Sequence, residues 1–193
     1  MKEIERVHAG LKEDVFQALY KPDQLITERE IAEKYGVSKV TAGEALHQLC
    51  RDGHLLAIPR SGYIVRPTTP EEFRQLKRLR MVLESLAIDI LCDEIPDSSI
   101  LTLSSFIIDD CPPDINANTV NRRFHLKMAE LTGDQYLISA LDAVLGAATR
   151  VEQYVSPVNK ASWQDEHRMI LEALKERNAS LAKQHLTADL NQR

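Results

Sequence analysis

Long apolar runs are missing from this chain. The best candidate, Leu137 to Ala148, is short and carries Asp142, so no segment reads as a bilayer-spanning helix, which needs about 20 apolar residues. The opening Met1-Lys2-Glu3-Ile4-Glu5-Arg6 holds acids and no apolar core, unlike a secretory leader. Cysteine is scarce: Cys50, Cys92 and Cys111 are odd in number and far apart. They suit a reducing compartment and show no zinc-ribbon or redox spacing. These absences point to the cytoplasm and away from a membrane. A basic excess is lacking as well, with a net charge of −5. Residues 1–69 carry ten Lys/Arg and ten Asp/Glu, against fourteen and nineteen in residues 70–193. All the surplus acid therefore lies in the second part. The neutral first part can still present a basic face, because DNA affinity follows local charge. No His-Glu-x-x-His run or nucleophile elbow occurs, which weighs against an enzyme. The enzymatic reading that remains is a metal-dependent hydrolase or lyase with Glu166 as base beside His167.

What is present is a mainly helical pattern in two parts. Apolar residues make up 44% of the 193, enough to bury a core in each part and too many for a disordered chain. Arg66-Pro67-Thr68-Thr69-Pro70 breaks the pattern, since two prolines in five residues resist both helix and central strand. It predicts a winged helix-turn-helix over 1–66, a hinge at 67–70 and an all-α bundle over 71–193. Before the hinge, a first helix is expected over about Glu5 to Tyr20. A second runs from the capping box Thr27-Glu28-Arg29-Glu30 to Tyr35, and a third from the cap Ser38 to Asp52. Leu55-Leu56-Ala57-Ile58 and Tyr63-Ile64-Val65 are short strands joined by the turn Pro59-Arg60-Ser61-Gly62. Beyond the hinge, Phe73, Leu76, Leu79, Val82, Leu83, Leu86, Ala87 and Ile90 recur at helical spacing from Glu71 to Asp93. Further helices are expected at about 98–109, 118–132, 134–155, 161–177 and 179–192, giving a bundle of about six.

In a helix-turn-helix the second helix enters the major groove and its first residues meet base edges. Here it opens with Ser38-Lys39-Val40-Thr41. Ser38 and Thr41 can reach phosphate or base, Lys39 can pair with phosphate or guanine, and Val40 can pack on a thymine methyl. Thr27 and Glu28 at the entry, Gly43 within the helix, and Arg60, Ser61 and Gly62 on the wing complete the candidate DNA contacts. Ile31, Ala32, Val37, Ala45, Leu46 and Leu49 fasten the two helices together. In the second part, Asn121 and His125 share a helix face at i, i+4, and His167 and Asp189 follow on later helices. Oxygen and nitrogen donors on separate helices are how a bundle builds a metal site, suited to zinc, nickel, manganese or iron. Spacing alone equally accommodates a semi-buried histidine beside Phe124 and a solvated Asp189.

The ordered combination closely resembles the GntR family of transcription factors. The stretch from Leu25 through Ser38 resembles its helix-turn entry. Glu44-Ala45-Leu46, Leu49 and Asp52-Gly53 resemble its recognition helix, and Pro59 through Val65 its wing. Asn121 to Gly133, Glu166 to Leu174 and Arg80-Met81-Val82-Leu83-Glu84 resemble the FCD effector domain of the FadR-type branch. The resemblance implies a homodimer, one recognition helix per half-site of a double-stranded operator, and repression relieved by a ligand. It also implies a metal on Asp, His, His and His, which falls here on Asn121, His125, His167 and Asp189. Two positions match and two are exchanged. Asn121 offers a carbonyl for a carboxylate, and Asp189 a carboxylate for an imidazole, so the formal charge of the set is kept. His185, one turn before Asp189, is a substitute. Arg80 takes the place of an arginine that grips a small carboxylate effector, the alternative being a surface ion pair with Glu84 at i+4. The bundle's 123 residues suit the shorter, six-helix branch and small acids rather than acyl chains. One departure stands out: relatives carry a DNA-contacting Arg before Glu-Ala-Leu, and this chain has Gly43. A sensor that has lost specific DNA binding is therefore the other reading.

Overall fold

The computed structural model describes residues 2–17, 19–21, 23–67, 69–107, 117–155 and 160–191, and of 117, 150–155 and 160–163 the backbone only. The chain divides into two compact units, residues 1–68 and 69–193. The first holds α1 (Glu3–Phe16), α2 (Glu28–Tyr35), α3 (Lys39–Arg51), β1 (Leu55–Ile58) and β2 (Gly62–Val65).

Side chains set most of these boundaries. The Glu5 carboxylate accepts the Lys2 backbone N–H at 2.9 Å, so α1 starts at Glu3, earlier than the sequence suggested. It ends at Phe16, short of the expected Tyr20. Thr27 and Glu30 bond each other's backbone N–H groups at the mouth of α2, a reciprocal cap. Gly36 closes the helix at φ +64°. Ser38 Oγ accepts the Thr41 N–H at 3.0 Å and opens α3. β1 and β2 pair antiparallel, Leu55 opposite Val65 and Ile58 opposite Gly62. Ile26 exchanges two backbone hydrogen bonds with Tyr63, at 2.7 and 2.9 Å, tying the wing to the entrance of α2. That approach needs glycine at 62, where a Cβ would fall 2.6 Å from the Ile26 carbonyl oxygen. Val7, Leu11, Phe16, Ile31, Leu46, Leu49 and Leu55 form the core, each buried side chain contributing about 1.5–3 kcal/mol.

The second unit holds α4 (Pro70–Glu94), α5 (Asp97–Ile100), a 3-10 segment (Leu101–Phe106), α6 (Ala117–Thr132), α7 (Gln135–Val155), α8 (Lys160–Lys175) and α9 (Ala179–Asn191). Pro70 is helical rather than part of a break. Thr69 and Glu72 cap each other's N–H groups, and proline fits the first helical position, whose N–H has no partner in the helix. The single helix expected over 98–109 is instead α5 followed by 3-10 turns. The hydroxyls of Thr102, Ser104 and Ser105 each donate to the carbonyl three residues back, at 2.6–2.8 Å. Such local bonds compete with the α-helical ladder. Residues 108–109 and Pro157 lie outside the described residues. α8 stops at Lys175, earlier than expected. Arg177 follows at φ +57° and its guanidinium donates to the carbonyls of Leu91, Cys92 and Ile95 at the end of α4.

Ile88, Leu91, Phe124, Met128, Ile170, Leu174 and Leu186 form the main core of this unit, and Ala87, Ala129 and Leu141 a second cluster. The periodicity of α4 located the helix but not its inner face. Arg80, Glu84, Ala87, Ile88 and Leu91 are buried, whereas Leu79, Val82 and Leu86 are 45, 65 and 47% exposed. No helix among the described residues is long and apolar enough to cross a membrane.

Candidate functional site

In the first unit, a cleft of about 450 Å³ separates the start of α2 and α3 from the wing, lined by Thr27, Glu28, Arg29, Lys39, Arg60, Ser61 and Gly62 among others. Ser38, Lys39 and Val40 are exposed at the start of α3, and Thr41 is half-buried. Val40 is 71% exposed, an apolar side chain left in water where a thymine methyl can cover it. Ser38 and Thr27 are both occupied as helix caps. Arg60 stands exposed at the wing tip with φ +64°, a left-handed conformation unusual for a non-glycine residue. Gly62 is set by backbone packing. Gly43 is buried, its face covered by Glu28. Sequence reasoning missed Arg29, exposed in the cleft, and His47, exposed on α3 and 3.3 Å from the Tyr63 hydroxyl through Nε2. The helical spacing of His47 behind Val40 was the available signal.

In the second unit, the fold brings His125 (α6), His167 (α8) and Asp189 (α9) together, with one donor atom from each within 4.8 Å of the others. All three are fully buried. The two Nε2 atoms lie 3.2 Å apart. Asp189 places Oδ2 3.3 Å from His125 Nε2 and Oδ1 4.0 Å from His167 Nε2. Phe124 stacks on the His167 ring, centroids 3.9 Å apart and planes 9° from parallel. Asn121 is buried one turn before His125 on α6. His185, the substitute ligand, is instead paired through Nδ1 with Glu166 at 2.9 Å. The same contact engages the carboxylate that an enzymatic reading needs as a base.

Arg80 is not on the surface. It is 1% exposed and bonds Glu84 Oε1 through Nε at 2.8 Å, with Glu84 fully buried. The other Glu84 oxygen lies 2.6 Å from His125 Nδ1. Arg80, Glu84 and His125 thus form a buried line ending at the cluster. Burial works to raise the Glu84 carboxyl, but the charges of Arg80 and His125 hold it below the ordinary carboxylate range. Burial works to lower His125, and Arg80 adds to that. The Glu84 charge and the bonds to Asp189 and Glu84 outweigh both and raise it.

The donor set fits a divalent ion. Two nitrogens each about 2.1 Å from one ion stand roughly 2.9–3.4 Å apart between octahedral and tetrahedral angles, and the observed separation falls in that range. With Glu84 facing His125 Nδ1, a bound ion would take the Nε2 lone pair in place of a proton, the usual arrangement behind a metal-bound histidine. Imidazole and carboxylate donors suit zinc, nickel or manganese.

A winged helix-turn-helix unit followed by an all-helical unit is the architecture of a DNA-binding transcriptional regulator. The chain belongs to the GntR family: residues 3–65 match the model for bacterial regulatory proteins of the gntR family, and residues 75–192 match the FCD domain. Regulators of this family bind DNA and usually dimerise. The chain is 29% identical to the HTH-type transcriptional regulator YdhC of Bacillus subtilis over 190 residues, covering 94% of this chain and 84% of that protein. It is 28% identical to the Uxu operon regulator of Haemophilus influenzae over 214 residues, covering 94% and 78%. Its fold is similar to that of the E. coli protein McbR/YncC, with a TM-score of 0.83 at 17% identity, covering 100% of this chain and 95% of that one. It is also similar to that of a GntR regulator of Rhodococcus sp. RHA1, with a TM-score of 0.77 at 20% identity, covering 97% and 93%.

Proposed function

We propose that this regulator represses transcription in the cytoplasm as a homodimer and is released from its operator by a small organic acid sensed at a metal centre. The observation that carries this reading is the buried His125–His167–Asp189 cluster backed by Glu84 and Arg80. A divalent ion held by His125, His167 and Asp189, with Asn121 a turn away, supplies a Lewis-acid contact for an effector carboxylate. A divalent ion there adds positive charge beside Arg80, which suits an anionic effector. Arg80 acts here through Glu84, which orients His125 and supplies counter-charge.

The exposed stripe Leu79, Val82 and Leu86 on α4 supports dimerisation, because an apolar face at i, i+3 and i+7 loses its contact with water against a second copy. The effector acts by favouring one arrangement of the two units across residues 67–70, and only to the extent that it binds that arrangement more tightly. The test is operator binding measured with and without zinc, nickel or manganese across a panel of small carboxylates. A metal-dependent loss of affinity of about tenfold is expected for one acid, within the usual range of allosteric coupling. Operator affinity unchanged by every acid and metal at saturation removes the sensing role.

A further inference from the structure

Glycine within a recognition helix costs about 1 kcal/mol relative to alanine, and the structure gives a reason for it here. A Cβ built on Gly43 would lie 3.0 Å from Glu28 Oε1 and 3.2 Å from its Cδ, close enough that the carboxylate would have to shift by a few tenths of an ångström. Position 43 follows Lys39 and Val40 by one turn and precedes His47 by one turn, and all three are exposed. It therefore belongs to the outward stripe of α3, and Glu28 is what covers it.

Glu28 is itself exposed, the first residue of α2, where the helix dipole favours its charge. Tyr63 of β2 lines the same cleft as Glu28, and its phenol oxygen lies 3.3 Å from His47 Nε2 on α3. Glu28 of α2, lying over Gly43 of α3, thus places one carboxylate on the stripe that carries Lys39, Val40 and His47. Arg29, Lys39 and Arg60 line the same cleft, and their charges offset the repulsion between this carboxylate and phosphate.

We propose that Glu28 is a specificity-determining residue of the DNA interface, its carboxylate seated over Gly43 and accepting a hydrogen bond from the N4 amine of a cytosine in the major groove. An ionised carboxylate only accepts. It cannot serve guanine, which offers N7 and O6, or thymine, which offers O4 and a methyl. Adenine has an amine, but its adjacent N7 lone pair repels the second carboxylate oxygen. Cytosine alone presents a donor without a neighbouring acceptor in that groove.

The experiment is selection from a random duplex pool with the full-length chain at one fixed salt concentration, using wild type, Glu28→Gln, Gly43→Ala and, for the other exposed carboxylate on the stripe, Glu44→Gln. Wild type is expected to enrich a two-fold symmetric site with cytosine at one position per half. Glu28→Gln shifts that position from cytosine toward adenine, which glutamine pairs bidentately, by about tenfold. It leaves the other positions in place. Gly43→Ala weakens the cytosine preference by displacing the carboxylate, and Glu44→Gln keeps it. The inference rests on sequence-specific DNA binding, and the two fail differently. A wild-type chain that enriches no duplex removes that premise and the inference with it. A clear consensus whose cytosine survives Glu28→Gln overturns the inference alone.

Discussion

Replacing Glu84 by glutamine tests the buried line behind the metal centre. Glu84 is fully buried, and its two oxygens serve Arg80 Nε at 2.8 Å and His125 Nδ1 at 2.6 Å. Glutamine keeps the shape but loses the charge, and its amide nitrogen must face one of two donors. Removing one partner of a buried ion pair costs about 3–5 kcal/mol, because the remaining charge is left uncompensated. For a helical unit of this size that lowers Tm by about 10 °C or more. The assay is calorimetric unfolding of the full chain in chelator, with wild type, Glu84→Gln and the double variant Arg80→Met/Glu84→Met. The double variant removes both charges at similar volume and recovers most of the loss. The pH sign is fixed as well. The folded-state value of Glu84 is depressed, so its contribution is present above the ordinary carboxylate range and disappears as pH falls through the depressed value. Wild type and Glu84→Gln converge there. A loss below about 1 kcal/mol, or a double variant no more stable than the single one, refutes the argument that Glu84 compensates a buried charge.

The remaining predictions concern the ion, a cap and the wing. Zinc, nickel or manganese at about 100 times its dissociation constant stabilises the chain by about 2.7 kcal/mol. That increment shrinks as pH falls through the raised His125 value, because proton and ion compete for Nε2. Without metal the sign reverses: stability gained from protonated His125 is full below its unfolded value and is lost as pH rises through the raised one, which denaturant melts in chelator across pH check. Thr69→Ala removes one arm of the reciprocal cap that opens α4 and costs about 1 kcal/mol in the same melts. Arg60→Asn relieves the left-handed strain at the wing tip and stabilises the first unit by a few tenths of a kcal/mol. The same change weakens operator binding and lowers its salt slope by about 1, as seen in titrations at several salt concentrations.

Local chemistry was legible in the sequence; packing direction was not. Thr27 with Glu30, Ser38, and Gly36 announce the ends of α2 and α3 because a cap depends on neighbours three or four residues away. The hairpin follows from its turn. The inner face of α4 does not, since Leu79, Val82 and Leu86 are as apolar as Ile88 and Leu91. Only the positions of α6, α7 and α9 decide which stripe they cover. Arg80 and Glu84 looked like a solvated pair for the same reason: i, i+4 spacing is identical on either face. Their burial depends on His125 arriving from another helix. The donors His125, His167 and Asp189 are distant in sequence, and spacing offered no distance between them. The family resemblance suggested the set; the fold brought three of them within reach of one ion. Glu84 behind His125 had no signal of its own.

The places where this chain breaks local rules share a property. Gly43 stands inside a helix, Arg60 takes a left-handed conformation without being glycine, and Arg80, Glu84, His125, His167 and Asp189 put ionisable groups where apolar ones would stabilise more. Each carries a local cost, from about 1 kcal/mol for the glycine to several for a buried ion pair. Around them, the apolar side chains of the two cores and the helix caps agree with one another. Departures of this kind persist where something other than stability is served. Here they lie at two places, the groove-facing side of the winged unit and the interior of the helical one. Those are the two places where the proposed function puts DNA and effector. A change that relieves a local cost at one of them, such as Arg80→Met/Glu84→Met or Arg60→Asn, therefore sets fold stability against binding.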